Sequence, residues 1–144
     1  MLADDGKFLF EDSARHPDEE PTDYSYVVFP FAKLYEGFLK QLFLDTGIIM
    51  EREYNSDHFR IGKALSPNLV RLLRHRSAYG QIQERFGQEL AARLWSTWKN
   101  GRNLVFHYFP HNYRALTRAQ AAVIITSIID TMGEAVRATH VRPR

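Results

Sequence analysis

The chain has 144 residues, the size of one domain around one hydrophobic core, and its 44% hydrophobic and 13% aromatic residues are enough to build that core. It has no cysteine, which excludes disulfides, thiolate metal sites and cysteine nucleophiles. No basic stretch precedes an apolar one at its start, and no run approaches the roughly 20 apolar residues of a membrane span, so a soluble cytoplasmic protein with no membrane partner is expected.

The net charge of +2 is unevenly spread. Residues 1–23 carry eight acids against Lys7 and Arg15, a net of −6, which leaves +8 on the remainder. A basic body favours a polyanionic partner such as nucleic acid, although a solvated surface of mixed charge would read the same way.

In chain order, residues 1–23 read as an acidic arm or linker. "KFLF" at 7–10 is the one strand-like stretch, and 11–23 is polar with two prolines. Residues 24–144 are expected to form one helical domain. Phe31, Leu34, Tyr35, Phe38, Leu39, Leu42 and Phe43 recur at three- and four-residue steps and predict the strongest helix, with Pro30 at its first turn or a kink and Gly47 at its end. Residues 52–68 read as a connection holding one short helical turn. Leu69, Val70, Leu72, Leu73 and Ile82 predict a second helix, interrupted near Gly80, whose exposed side carries "RLLRHR" at 71–76.

Residues 87–100 predict a third helix with Leu90, Leu94, Trp95 and Trp98 on one side and both tryptophans in the core. From 116 onward, Thr117 with Gln120 three residues later has the capping-box form, and the apolar run after it predicts a central, buried helix. The sum is an all-α bundle of four to five helices.

The chemistry concentrates in "STWKNGRNLVFHYFPHNYR", residues 96–114. Asn103 and His107 are four apart, which on a helix places them on one face, so the amide can hold the imidazole in one orientation. Arg102 and His107 are five apart, about 140° around an ideal helix, and converge only through the long arginine or a local distortion. Pro110 disfavours helix at Phe109 and is expected to end the helix just past the histidine. An imidazole can take a proton from a ribose 2′-hydroxyl or return one to a leaving oxygen. A guanidinium offers a planar charged fork to a phosphate on which charge is building. An Arg and a His at this spacing can equally satisfy carbonyls at a helix end.

His107 and His111 are also four apart, but Pro110 breaks the face they would share, and no metal or other cofactor is expected. Tyr108, Tyr113 and Arg114 suit contact with RNA, the tyrosines equally packing of the helix end, and "RLLRHR" suits either backbone phosphates or a solvated face.

"GRNLVFHYFP", preceded by an amphipathic helix carrying "FAKLYEGFLK", resembles the HEPN ribonucleases, whose mark is Arg-x4-6-His, often with Asn after the Arg. Arg102, Asn103 and His107 match that form over a region of similarity from about 24 to 136, and the helices look most like the HEPN domain of RNase LS-type toxins. The Tyr two residues past the His that some HEPN toxins carry is Phe109 here.

The resemblance implies a metal-independent endoribonuclease of a toxin-antitoxin or defence system, acting as a homodimer with its motifs across a cleft and leaving a 2′,3′-cyclic phosphate. It implies Arg102, Asn103 and His107 as catalytic residues, and Glu36 as the acid that approaches them from the early helix. Lys33, Lys99, Tyr108 and Arg114 are expected to contact the RNA. An antitoxin or inhibitor is an expected partner, and the alternative is a catalytically silent HEPN module that binds RNA or a protein.

Overall fold

The computed structural model describes residues 1–15, 21–107 and 110–141, with the backbone alone at Asn112. Among the described residues the protein is all-helical with no strand. The described residues form eight α-helices: α1 (Leu2–Asp12), α2 (Ser25–Asp45), α3 (Glu51–Tyr54), α4 (Ile61–Ala64), α5 (Val70–Leu73), α6 (Ala78–Phe86), α7 (Gln88–Trp98) and α8 (Arg118–Thr139). Five of them, α1, α2, α6, α7 and α8, have nine residues or more.

Helix α2 is the centre of the molecule. Its apolar residues face inward from several sides at once, so that Val27, Val28, Phe31, Tyr35, Leu39, Leu42 and Phe43 are all buried. It packs against α1 and α8 along its length and reaches α7 through a polar contact inside the core. The Tyr35 hydroxyl donates to the Leu94 carbonyl at 3.0 Å, and burial pushes the phenol well above the usual tyrosine range. Helices α7 and α8 are joined by a second buried pair, the hydroxyls of Thr97 and Thr131 at 2.9 Å.

The start of α2 is tied to the start of α8. One carboxylate oxygen of Asp23 accepts from the backbone N–H and hydroxyl of Ser25 and from the N–H of Leu116, and the Tyr24 N–H donates to the Leu116 carbonyl. Thr117 then caps α8 with its hydroxyl, which accepts from the Gln120 N–H, while the Gln120 side chain accepts from the Thr117 N–H, the reciprocal pattern its sequence predicts.

The structure departs from the sequence expectations at five places. "KFLF" is helical, part of α1, and the supposed arm is docked over that length: Arg118 of α8 donates to the Ser13 hydroxyl and the Phe10 carbonyl, each at 3.1 Å, with its guanidinium 4.1 Å from the Phe10 ring centroid. Gly6 permits this docking, since a Cβ there would run into the Phe31 ring. The connection at 52–68 holds two one-turn helices and a 3₁₀ turn in place of one turn.

The break in the second helical region falls at Arg74–Ser77 and not at Gly80. Arg74 turns the chain at φ 51, Ser77 caps α6 through its hydroxyl, and Gly80 lies inside α6 close to Val70. Helix α8 is buried on one face only, through Ala121, Ile125, Ile128, Thr131 and Ala135, while Val123 and Ile129 stand 69% and 50% exposed. An apolar run all round a helix fits either environment, and sequence periodicity does not separate them. By length and composition α8 is also the one helix among the described residues long and apolar enough to cross a membrane. Finally, the α-helix before the motif ends at Trp98 and not past His107, and Trp98 is buried while Trp95 is only partly so.

The Thr97–Thr131 pair gives a direct test of how the core is held. Thr97→Val or Thr131→Val alone leaves one hydroxyl buried without a partner and is expected to cost about 1–3 kcal/mol in denaturant unfolding. The double substitution is expected to cost less than the sum of the two, because it removes donor and acceptor together. Additive costs would show that the hydroxyls do not meet.

Candidate functional site

Beyond Trp98 the chain widens into a π-helical turn over Lys99–Asn103, closed by the Leu104 N–H donating to the Lys99 carbonyl at 2.9 Å. Gly101, in the middle of this turn, is buried against α8: a Cβ there would lie 3.1 Å from Cδ1 and 3.2 Å from Cγ1 of Ile128. A side chain at 101 would crowd Ile128, and Asn100, Gly101 and Asn103 have little pull toward regular helix. The 140° expected between Arg102 and His107 on an ideal helix no longer applies, because regular helix is lost at this turn and the chain runs on through turns at Leu104–Phe106 to a bend at His107. The distortion anticipated at Pro110 is therefore already made nine residues earlier, and Phe109 lies outside the described residues.

Arg102 leaves this turn toward α2. Its Nε stands 3.6 Å from a carboxylate oxygen of Glu36, and its guanidinium lies 5.3 Å from the ring of the buried Trp98. Both charged side chains are a little under half exposed, at 42% and 44%, so the ion pair itself is worth about 0–1 kcal/mol and its effect is to aim the guanidinium. Trp98 has its own fixed seat, because its Nε1 would be 2.9 Å from any Cβ at Gly62 of α4. The aromatic face and the carboxylate thus hold the arginine between them at the surface.

His107 lies at the surface four residues past Asn103, and its Nε2 is 3.1 Å from the Asn103 side-chain oxygen. An amide oxygen only accepts, so the neutral tautomer that makes this bond is the one with its hydrogen on Nε2 and its acceptor at Nδ1. The structure therefore brings together two pairs, Arg102 with Glu36 and Asn103 with His107, both hung on the one π turn. No hydrogen bond joins Arg102 to His107 among the described residues.

Lys33 is exposed on α2 one turn before Glu36, and Lys99 is exposed at the first position of the π turn. Arg114 is exposed beyond the turn at Pro110–Asn112, its guanidinium 5.9 Å from the Tyr113 ring. His111, in that turn, is exposed with φ 57. Tyr108 lies outside the described residues.

Sequence reasoning missed Phe29 and Phe106. Their rings meet edge to face at 5.6 Å, both substantially exposed, one on α2 and one in the segment between Asn103 and His107. Phe29, Lys33 and Glu36 recur at four and three residues and so form one stripe along α2 beside the motif. The signal was a large apolar residue on the same stripe as two charges, a place where core packing does not account for it.

Comparison with family models, with curated proteins and with solved structures finds no match.

Gly101→Ala should press a methyl group onto Ile128 and destabilise the protein by about 1–3 kcal/mol, measured by denaturant unfolding. Ile128→Val in the same chain removes Cδ1 and should recover part of the loss attributable to Gly101→Ala. An unchanged stability for Gly101→Ala would mean that a side chain at 101 is not crowded by Ile128.

Proposed function

We propose that the protein is a HEPN-like, metal-independent endoribonuclease that works as a homodimer and belongs to a toxin-antitoxin or defence system. The observation that carries this reading is the Arg102–Glu36 pair: an acid on the early helix meets the arginine of Arg-Asn-x3-His across 66 residues of chain. The exposed His107 with Nδ1 open, beside a permanently charged guanidinium, is the residue set that phosphodiester cleavage needs.

In this mechanism His107 Nδ1 takes the proton of a ribose 2′-hydroxyl. The 2′-oxygen attacks the adjacent phosphorus, the bond to the 5′-oxygen breaks, and the products end in a 2′,3′-cyclic phosphate and a 5′-hydroxyl. Arg102 faces the phosphate oxygens as negative charge builds on them, while Glu36 and Trp98 keep its fork turned outward. Asn103 holds the imidazole tautomer that accepts at Nδ1. The departing 5′-oxygen needs an acid, and a two-fold axis supplies it as His107 of the second protomer without further sequence.

Support for a dimer comes from apolar surface that the single chain leaves uncovered. Val123 and Ile129 on α8, and Phe29 with Phe106 beside the motif, are all exposed. The +8 body would also attract an acidic neutralising partner, which such an enzyme requires to spare its host. The second reading, a silent module that binds RNA without cutting it, draws on the engagement of Arg102 by Glu36 and Trp98.

His107→Ala and Arg102→Ala should each abolish RNA cleavage while leaving thermal unfolding nearly unchanged, since both side chains are at the surface. Glu36→Gln should lower the rate less than either. Binding of RNA with no cleavage by the unaltered chain would select the silent module, and loss of fold in both variants would make the motif structural.

Assembly is tested by mixing. If the site draws Arg102 and His107 from opposite protomers, Arg102→Ala chains mixed with His107→Ala chains should regain partial activity; if both histidines are needed, they should not. Light scattering that returns 16.8 kDa for the fully active protein would contradict the dimer.

A further inference from the structure

A second basic surface lies apart from the motif, in the region of one-turn helices between α2 and α6. There the chain encloses an open cavity of about 600 Å³ lined by Arg52, Arg60, Lys63 and Arg76, with His58 and His75 also on its wall. The four cations are exposed, and none forms an ion pair with a described residue. The cavity's one carboxylate, Glu53, is bonded to the Met50 N–H at 3.0 Å.

The lining also includes Ile48 and the partly buried Phe59, both packed on the core. Its rim is held in place: Gln81 of α6 donates to the His75 carbonyl at 2.9 Å and to the Ile48 carbonyl at 3.4 Å, and Arg74 turns the chain at φ 51 so that His75 and Arg76 come next on the cavity side. Of the "RLLRHR" cluster, Leu73, His75 and Arg76 line the cavity, while Arg71 and Arg74 do not.

We propose that this cavity is an RNA-binding exosite that seats one unstacked nucleotide of a single strand, its flanking phosphates on Arg52, Arg60, Lys63 and Arg76. Four cations without acidic partners around a rigid rim fit phosphates spaced along a backbone. Phe59, His58 and His75 supply flat faces against which a base can stack, an arrangement that is tolerant of sequence. The site rests on the proposal that the protein acts on RNA but shares none of Arg102, Asn103, His107 or Glu36 with the motif.

The test measures binding of a fluorescein-labelled ten-nucleotide single-stranded RNA by anisotropy, in a His107→Ala chain so that the probe stays intact. Adding Arg60→Ala and Arg76→Ala should weaken binding at least about tenfold and flatten its dependence on salt, whereas Arg71→Ala with Arg85→Ala, an equal loss of charge outside the cavity, should change it little. Equal losses in the two pairs, or none in the first, would overturn the exosite. Adenosine monophosphate that displaces the RNA at micromolar concentration would also overturn it, because the occupant would then be a free nucleotide. Cleavage by the unaltered chain is followed separately. RNA held by the cavity but never cut refutes the nuclease and leaves the exosite standing, and cutting with binding insensitive to Arg60 and Arg76 does the reverse.

Discussion

Gly101 is buried so near Ile128 of α8 that a Cβ there would be crowded, and the turn built around it carries the site. Helix α7 arrives there fixed by buried bonds, Leu94 to Tyr35 of α2 and Thr97 to Thr131 of α8, and has no freedom to move away. There the chain widens into a π turn that carries Lys99, Arg102 and Asn103 in quick succession. A helix continued regularly would put Arg102 and His107 on different sides; here Arg102 reaches Glu36 of α2 and His107 stands exposed at the surface. π turns of this kind are frequent at functional sites because they re-aim a side chain without interrupting the core.

The arginine shows how weak interactions can still specify a geometry. An ion pair between half-exposed groups contributes little to stability, and a guanidinium over an aromatic ring adds only about another 0.5–1 kcal/mol at such a site. Acting from two sides, Glu36 and Trp98 nevertheless restrict a long side chain that would otherwise sample many rotamers. The ordering entropy is met by folding, before any ligand arrives, which is the condition under which an arginine can stabilise developing charge.

The parts of the fold legible in the sequence were those with a dense apolar period or explicit end signals. Helix α2 was visible from Phe31 to Phe43, and the start of α8 from Thr117 and Gln120, because each signal reports a local physical requirement. Helix α1 was hidden by its charge: Asp4, Asp5, Glu11 and Asp12 mask the few apolar residues that Arg118 and Phe31 hold in place, and those partners come from distant parts of the chain. The break at Arg74 was missed because an arginine at positive φ carries no local signal, and Gly80 drew attention by composition although its role is close packing inside α6. Within the site, the residue types and their spacing were readable. The π turn was not, since it packs against α8, which is distant in the chain, and neither was the meeting of Phe29 with Phe106.

In the proposed reaction Arg102 and His107 direct a ribose 2′-hydroxyl at its neighbouring phosphate. The most direct measurement of that step is incubation of the purified protein with an RNA oligonucleotide and its all-deoxy counterpart in excess EDTA, with the product ends read by mass spectrometry. Cleavage of the RNA alone, leaving 2′,3′-cyclic phosphate ends, is the predicted result. Cutting of the DNA strand, or cutting of RNA only after Mg²⁺ or Mn²⁺ is restored, would contradict it.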